Sequence, residues 1–99
     1  MIVVDIIQSD EATAIQISKY LIDNKYALQT HIDKNTLLQS GKNLKTIRLF
    51  FITKALLFDI IHNEVKNKFE KIELLIYATP VSHISKDFAE KLRLNLKAV

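Results

Sequence analysis

The hydrophobic residues of this chain follow strand-like spacing in some segments and helical spacing in others. The order of these segments along the chain limits the fold more than any single motif does. The run "MIVVDII" at residues 1–7 is rich in β-branched residues and predicts a buried strand. A stripe at helical spacing follows it and includes Ile17 and Leu21. Ser9 is the expected N-cap of that helix, and Asn24 is its expected C-cap. The chain therefore opens with a strand and an amphipathic helix.

The middle of the chain predicts two strands separated by a long connection. The segment "ALQTHI" at residues 27–32 alternates in polarity, as a half-buried strand does. Residues 33–43 carry turn-forming side chains and Gly41, so we expect a long hairpin or loop there. The segment "LKTIRLFFIT" at residues 44–53 predicts a third strand. Apolar residues on both faces near its end indicate a central strand or one covered on both sides.

The last part of the chain repeats the alternation. A second helix is expected over residues 54–68 with Thr53 as its N-cap, and "KIELLIYA" at residues 71–78 predicts the fourth strand. Pro80 should end that strand because proline has no N–H to donate to a strand ladder, and Ser85 should open a last helix. The expected apolar seams of these helices are Leu57, Ile61, Val65 and Phe69, and then Phe88, Leu92 and Leu96.

This order of elements predicts an α+β fold. It is the ferredoxin-like βαββαβ arrangement with an antiparallel sheet and an additional C-terminal helix, in a single domain over residues 1–99. Right-handed crossovers would place the first and third strands at the centre. The helices of such a fold cover one sheet face, and we expect Leu49 and Phe51 on the uncovered face. Leu75 and Tyr77 are expected there too, and an exposed apolar sheet face predicts an oligomer.

Composition excludes several classes of function. The chain has no cysteine, which rules out disulfides and thiolate metal sites and is compatible with a reducing cytoplasm. Gly41 is the single glycine, so the glycine-rich phosphate loops of P-loop and Rossmann proteins are excluded. The net charge of +3 is spread along the chain, and the sequence therefore does not favour a nucleic-acid partner. No apolar run has the roughly 18 residues of a membrane span, and the acidic start is not that of a signal peptide.

Several short segments together resemble the CutA divalent-cation-tolerance proteins. They are "MIVV", "KYALQTHI", Gly41-Lys42, "RLFFITKALLFDII", "IYATPV" and "DFAEKL". The resemblance covers essentially the whole chain, and "ATPV" at residues 78–81 keeps the family's spacing to Phe88 without a gap. It implies a non-enzymatic, cytoplasmic homotrimer with the ferredoxin-like fold that handles a divalent cation such as copper.

The chain also departs from the family pattern where the family's metal-binding proposals lie. "FEKIEL" at residues 69–74 replaces an "HPYEVP"-like stretch, and Gln29 stands where a cysteine is usual. The hairpin is shortened to "LLQSGK", which leaves a dimer joined by sheet faces as an alternative to the trimer. We therefore expect weak metal binding or none.

The three histidines do not show the spacing of a histidine metal site, which is commonly i, i+4 on a helix or i, i+2 on a strand. His31 has Gln29 and Asp33 as its neighbours at i±2, a mixed oxygen and nitrogen set suited to weak binding. His83 lies before the last helix and is the second candidate metal ligand. The alternative for each histidine, His62 included, is a solvated surface residue.

The sequence contains no recognisable catalytic constellation. No cysteine is present and no serine lies in a Gly-x-Ser-x-Gly elbow, so we expect a protein that is not an enzyme. Asp5 is the one acid inside an apolar strand run and is expected to face solvent or to pair with a basic residue. Two other functions stay open: a regulatory module similar to nitrogen-regulatory signal proteins, which would bind a small anion or nucleotide at subunit clefts, and a small dimeric enzyme with an acid or histidine in a pocket.

Overall fold

Seven regular elements follow one another in the predicted order in the computed structural model, which describes residues 1–99. They are β1 (Ile2–Gln8), α1 (Glu11–Asp23), β2 (His31–Gln39), β3 (Lys42–Thr53), α2 (Phe58–Lys68), β4 (Leu75–Pro80) and α3 (Lys86–Asn95), with a 3₁₀ turn at Ala55–Leu57. None of the three helices is both long enough and apolar enough to cross a membrane.

The four strands form one antiparallel sheet in the order β2-β3-β1-β4. The two central strands are β1 and β3, as the right-handed crossover rule predicts for two interleaved strand-helix-strand units. Along their shared ladder Val4 pairs with Phe51 and Ile6 pairs with Leu49. The expected ferredoxin-like fold with an added C-terminal helix is confirmed, and β2 and β4 are its edge strands.

The hydrophobic core lies between the helices and one face of the sheet. Its central members from the sheet are Val4, Ile6, Leu49 and Phe51, and its members from the helices include Ile17, Leu21, Leu57, Ile61, Val65, Leu92 and Leu96. The predicted seams of α2 and α3 are therefore confirmed at these positions, whereas their other two members, Phe69 and Phe88, are only partly buried against the core. Burying side chains of this size supplies roughly 1.5–3 kcal/mol each, which is the main term that holds the helices on the sheet.

Two predicted helix caps are wrong. Asp10 rather than Ser9 caps α1, because the Asp10 side chain accepts a hydrogen bond from the backbone N–H of Thr13. Thr53 does not cap α2; its hydroxyl donates to the carbonyl of Tyr26 at 2.6 Å and is completely buried. A 3₁₀ turn precedes α2, and neither the turn nor the helix has a side chain that caps its N-terminus. Asn24 is confirmed as the C-cap of α1.

The connection between α1 and β3 also differs from the prediction. The segment at residues 27–32 is mostly irregular, and β2 begins only at His31 and runs through much of the predicted loop. A two-residue turn joins β2 to β3, with φ of 50° at Ser40 and 76° at Gly41. Positive φ at both positions is what a type I′ hairpin turn requires. The result is a long hairpin whose strand β2 is exposed at nearly every residue.

Candidate functional site

The face of the sheet that the helices leave uncovered is called the open face below. Leu75 and Tyr77 lie on it with 59% and 43% of their surface exposed, as expected. The expectation for Leu49 and Phe51 is wrong, since both are buried in the core. Alternation along a strand shows which residues share a face, but it does not show which face the helices cover. The strand register instead places Val3, Asp5 and Ile7 on the open face. Asp5 is opposite Phe50 there, and Ile7 lies between Arg48 and Leu75.

An ion pair lies at the middle of the open face. Arg48 Nε donates to Asp5 Oδ1 at 2.5 Å, and Asp5 retains only 3% of its surface exposed. Arg48 Nη1 also lies 3.8 Å from Asp33 Oδ2 on β2. The hydrogen bond to Asp5 raises the pKa of Arg48, so the guanidinium stays charged. The expected pairing of Asp5 with a basic residue is confirmed, and the three side chains together carry one net negative charge.

Phe50 connects this ion pair to the histidine predicted as a metal ligand. The His31 ring stacks on the Phe50 ring with centroids 4.9 Å apart and planes at 18°. The Arg48 guanidinium carbon lies 4.1 Å from the same Phe50 centroid, within the range of a cation–π contact. The register explains the arrangement because His31 on β2 pairs directly with Phe50 on β3. His31 is thus held by an aromatic neighbour on the open face.

A cavity of about 240 Å³ lies beside this stack, and both open-face residues and two residues of α3, Phe88 and Leu92, line it. Its polar lining residues are Gln29, His31 and Arg48, and its apolar ones are Val3, Leu28, Phe50, Phe51, Ile52, Phe88 and Leu92. Five separate parts of the chain build it: β1, the segment between α1 and β2, the first residue of β2, β3 and α3. A concave apolar site with a few polar groups is the usual form of a small-molecule pocket.

A second, wider depression of about 490 Å³ lies at the hairpin end of the sheet. Leu37 and Leu44 of the hairpin line it together with Ile7 and Leu75. Gln8 also lines it, and the Oε1 atom of Gln8 is buried without a hydrogen-bond partner. The open face therefore carries an ion pair in the middle, an apolar cavity wall at one end, and exposed leucines among polar residues at the hairpin end.

The two predicted metal ligands do not converge on a common site. His31 is exposed and stacked on Phe50, whereas His83 is exposed in the segment before α3 with its Nδ1 3.2 Å from the Ser82 hydroxyl. No group of three or more His, Cys, Asp or Glu side chains in the chain is placed to hold a metal ion. Asp33, the nearest carboxylate in sequence to His31, also faces the positive charge of Arg48. The residues of one chain do not fit a tight divalent-cation site.

A cluster that the sequence did not reveal joins α1 to α2. The hydroxyls of Tyr20 and Tyr26 donate to the two carboxylate oxygens of Glu64. Burial, together with the hydrogen bond to Glu64, raises the pKa of Tyr26 to about 12, and the two phenols lower the pKa of Glu64. Lys97 lies over the Tyr26 ring at 5.5 Å. The tyrosines lie 44 and 38 residues before Glu64, so local spacing gave no signal of this contact.

Comparison with solved structures matches the whole fold to CutA proteins. CutA from Synechococcus elongatus, solved in complex with a Bis-Tris molecule, aligns with a TM-score of 0.86 at 13% identity over 96% of this chain and 92% of that one. The divalent cation tolerance protein of Thermus thermophilus aligns at 0.79 and 22% identity, over 98% and 100%. The periplasmic divalent cation tolerance protein of Archaeoglobus fulgidus aligns at 0.80 and 21% identity, over the same shares.

These likenesses establish the fold, and the resemblance to CutA drawn from the sequence is confirmed at that level. No protein-family model matches the chain, and no curated protein matches it by sequence.

Proposed function

We propose that this chain is a CutA-like protein that self-associates, acts in the tolerance of divalent cations and catalyses no reaction. The observation that carries the proposal is the match of the entire fold to divalent cation tolerance proteins at TM-scores of 0.79 and 0.80. The sequence motifs that resemble this family support it independently of the fold. We further propose a cytoplasmic location, which rests on the family resemblance drawn from the sequence; the absence of cysteine is compatible with it.

The open face supports self-association. Leu75 and Tyr77 are large side chains exposed on an edge strand, and Leu37 and Leu44 of the hairpin lie exposed at the same end of the face. An exposed apolar patch on a sheet marks an interaction site more often than a tolerated defect. The edge strands β2 and β4 also present unpaired backbone groups that a second copy can cover. A homotrimer is favoured over a dimer because the resemblance to CutA covers the whole chain.

Metal binding by this protein is proposed to be weak. His31 and His83 each offer one imidazole, and neither has a carboxylate within hydrogen-bonding distance. A site with one or two protein ligands gives little affinity for Cu²⁺ or Zn²⁺ because structural and catalytic sites use three or four. Subunit contacts that bring a second histidine to His31 or His83 would raise the affinity.

Isothermal titration of the assembled protein with Cu²⁺ and Zn²⁺ tests this part. We expect weak binding that is reduced in the double variant His31→Gln/His83→Gln and unchanged in the control His62→Gln. Absence of heat for both metals, together with an unchanged melting temperature, would remove direct metal handling from the proposal and leave the self-association.

A second candidate function is favoured by one observation, the cavity beside His31. A ligand-sensing regulatory protein needs such a site, and the nitrogen-regulatory signal proteins share this fold class. That function would involve a small anion or a nucleotide bound where subunits meet. A rise in melting temperature with ATP or ADP would support it over cation tolerance, and no rise at millimolar nucleotide would count against it.

A further inference from the structure

We propose that four lysines on the helix side of the protein bind an acidic segment of a partner protein, one with several carboxylates within a few residues. They are Lys25, Lys54, Lys68 and Lys97, called the helix-side lysine cluster below. Lys68 ends α2, and the other three follow α1, β3 and α3 respectively. None belongs to a strand, so the cluster is separate from the open face that the proposed self-association uses. The proposal goes beyond cation tolerance and does not depend on it.

Two of the lysines lie over the rings of the tyrosines that bind Glu64. Lys68 Nζ lies 5.0 Å from the centroid of the Tyr20 ring. Lys97 Nζ lies 5.5 Å from the centroid of the Tyr26 ring, and the two ring centroids are 6.4 Å apart. Both ammonium groups are therefore within the range of a cation–π contact on neighbouring rings.

Backbone contacts bring the other two lysines to Lys97. Lys54 Nζ donates to the carbonyl of Lys97 at 3.0 Å, and the backbone N–H of Lys97 donates to the carbonyl of Lys25 at 2.8 Å. The segment that follows α3 is thus fixed beside the end of α1 and the end of β3. Four parts of the chain that are distant in sequence form one basic surface.

The lysines of this cluster have no carboxylate as an ion-pair partner. The ion pairs of the chain involve Lys34 and Arg48 instead. Glu64 lies beside the cluster, but its two oxygens accept hydrogen bonds from the two phenols. Asp23 is exposed two residues before Lys25. Four positive charges therefore face two negative ones, and such a surplus attracts anions.

The form of the cluster favours a ligand with several carboxylates. A single exposed ion pair adds little to affinity, so a lone phosphate or acetate should bind poorly. A segment with several acidic side chains can pair with several lysines at once. The contacts of Lys54, Lys68 and Lys97 already restrict these side chains, which lowers the entropy that binding costs.

The same cluster is poorly suited to a nucleic acid. Tyr26 is only 2% exposed, and Lys68 lies over the half-buried Tyr20 ring. The cluster therefore lacks the exposed aromatic platform on which single-stranded nucleic acids stack their bases. It also contains no arginine, whose planar fork binds phosphate in two places at once. Acidic protein is the polyanion that these features favour.

Three labelled hexamers test the ligand class on the unmodified protein. Hexaglutamate, hexaglutamine and hexathymidylate carry the same fluorescein label, and fluorescence anisotropy measures their binding. We expect hexaglutamate to bind about tenfold more tightly than hexaglutamine at low salt, and to lose this advantage at about 1 M NaCl, where screening is strong. Equal binding of the two peptides would overturn the surface. Binding of hexathymidylate as tight as that of hexaglutamate would overturn the acidic-protein class.

Two double variants with the same change in net charge test the location. Lys54→Gln/Lys68→Gln removes two charges of the cluster, whereas Lys42→Gln/Lys45→Gln removes two exposed lysines at the hairpin end of β3. Lys42 begins β3 and Lys54 follows its last residue, so at about 3.3 Å per residue the two positions lie far beyond a Debye length of about 10 Å.

We expect the first double variant to weaken hexaglutamate binding about tenfold, and the hairpin variant to change it by no more than about twofold. Circular dichroism checks that both variants are folded. Equal effects of the two variants would mean that the peptide responds to net charge alone, and they would contradict the location.

Discussion

Arg48 Nε lies 2.5 Å from Asp5 Oδ1 on the open face, so the chain holds an almost fully buried carboxylate on the side of the sheet that no helix covers. A carboxylate at that depth is tolerated because the guanidinium donates to it directly. The Phe50 ring also contacts the same guanidinium, whose carbon lies 4.1 Å from the ring centroid. The charged centre of this face is therefore one ion pair that is surrounded by apolar side chains.

Removing the arginine alone should destabilise the protein. Arg48→Met leaves Asp5 buried without a counter-charge, and we expect a loss of about 1–3 kcal/mol in the free energy of unfolding. This is less than for a fully buried pair because 36% of the Arg48 side chain is exposed to screening by solvent. The double variant Asp5→Leu/Arg48→Met should recover most of the loss. Urea denaturation measures all three proteins, and equal losses in the single and double variants would show that the pair is not coupled.

The buried seam of α3 should be sensitive to truncation. Leu92 is 1% exposed and packs in the core, whereas Leu94 on the same helix is 75% exposed. We expect Leu92→Ala to cost about 2–5 kcal/mol through lost burial and a cavity. Leu94→Ala should change stability by no more than about 0.5 kcal/mol. Thermal denaturation of the two variants checks the docking of α3, and similar effects would mean that this helix is not fixed on the core.

The clamp of two tyrosines on Glu64 should contribute to stability. Glu64→Gln removes the charge and leaves one acceptor oxygen for two phenol donors, so we expect a loss of about 1–3 kcal/mol. Glu70→Gln, an exposed glutamate just beyond α2, is the matched control and should have little effect. Chemical denaturation of both variants distinguishes the clamp from a general effect of glutamate removal.

The same clamp predicts a defined pH dependence. The pKa of Glu64 is lowered from 4.5, so its contribution is present above pH 4.5 and is lost as pH falls through the lower folded value. The pKa of Tyr26 is raised from 10.0 to about 12, so its contribution is present below pH 10.0 and is lost as pH rises toward 12. Urea midpoints across pH should fall at both ends. An ultraviolet titration of tyrosine ionisation should show a final step at high pH in the unmodified protein, and that step should be absent in the Tyr26→Phe variant.

Much of the fold could be predicted from spacing alone. The seams at Ile61 and Val65 and at Leu92 follow helical periodicity, and the central place of β1 and β3 follows from crossover handedness. The start of β2 could not be predicted in this way. Tyr26 and Ala27 are adjacent and both buried in an irregular segment, so the alternating polarity of residues 27–32 did not mark a strand there.

Less of the site could be predicted. His31 was identified from its residue type, but its stacking on Phe50 depends on the pairing of β2 with β3, which needs the register. The buried state of Asp5 and its contact with Arg48 depend on strand pairing across 43 residues of sequence. The prediction that Leu49 and Phe51 lie on the uncovered face was wrong. Alternation shows which residues of one strand share a face, but it does not show which of the two faces the helices cover.

A lysine introduced into the apolar part of the open face should disrupt self-association. Leu75→Lys places an ammonium in the proposed interface, and we expect dissociation without a comparable loss of secondary structure. Leu94→Lys places the same charge on α3 outside the open face, at a position that is 75% exposed against 59% for Leu75, and it should leave the assembly intact. Size-exclusion chromatography with circular dichroism compares the two. Dissociation by both substitutions would mean that the interface is not specific to this face.

The most direct test of the proposed CutA-like assembly is sedimentation equilibrium of the unmodified protein at micromolar concentration. The chain has a mass of 11.4 kDa, and a homotrimer predicts about 34 kDa. A mass of 11.4 kDa that does not change with concentration would show a monomer with its apolar open face in water, and it would contradict self-association.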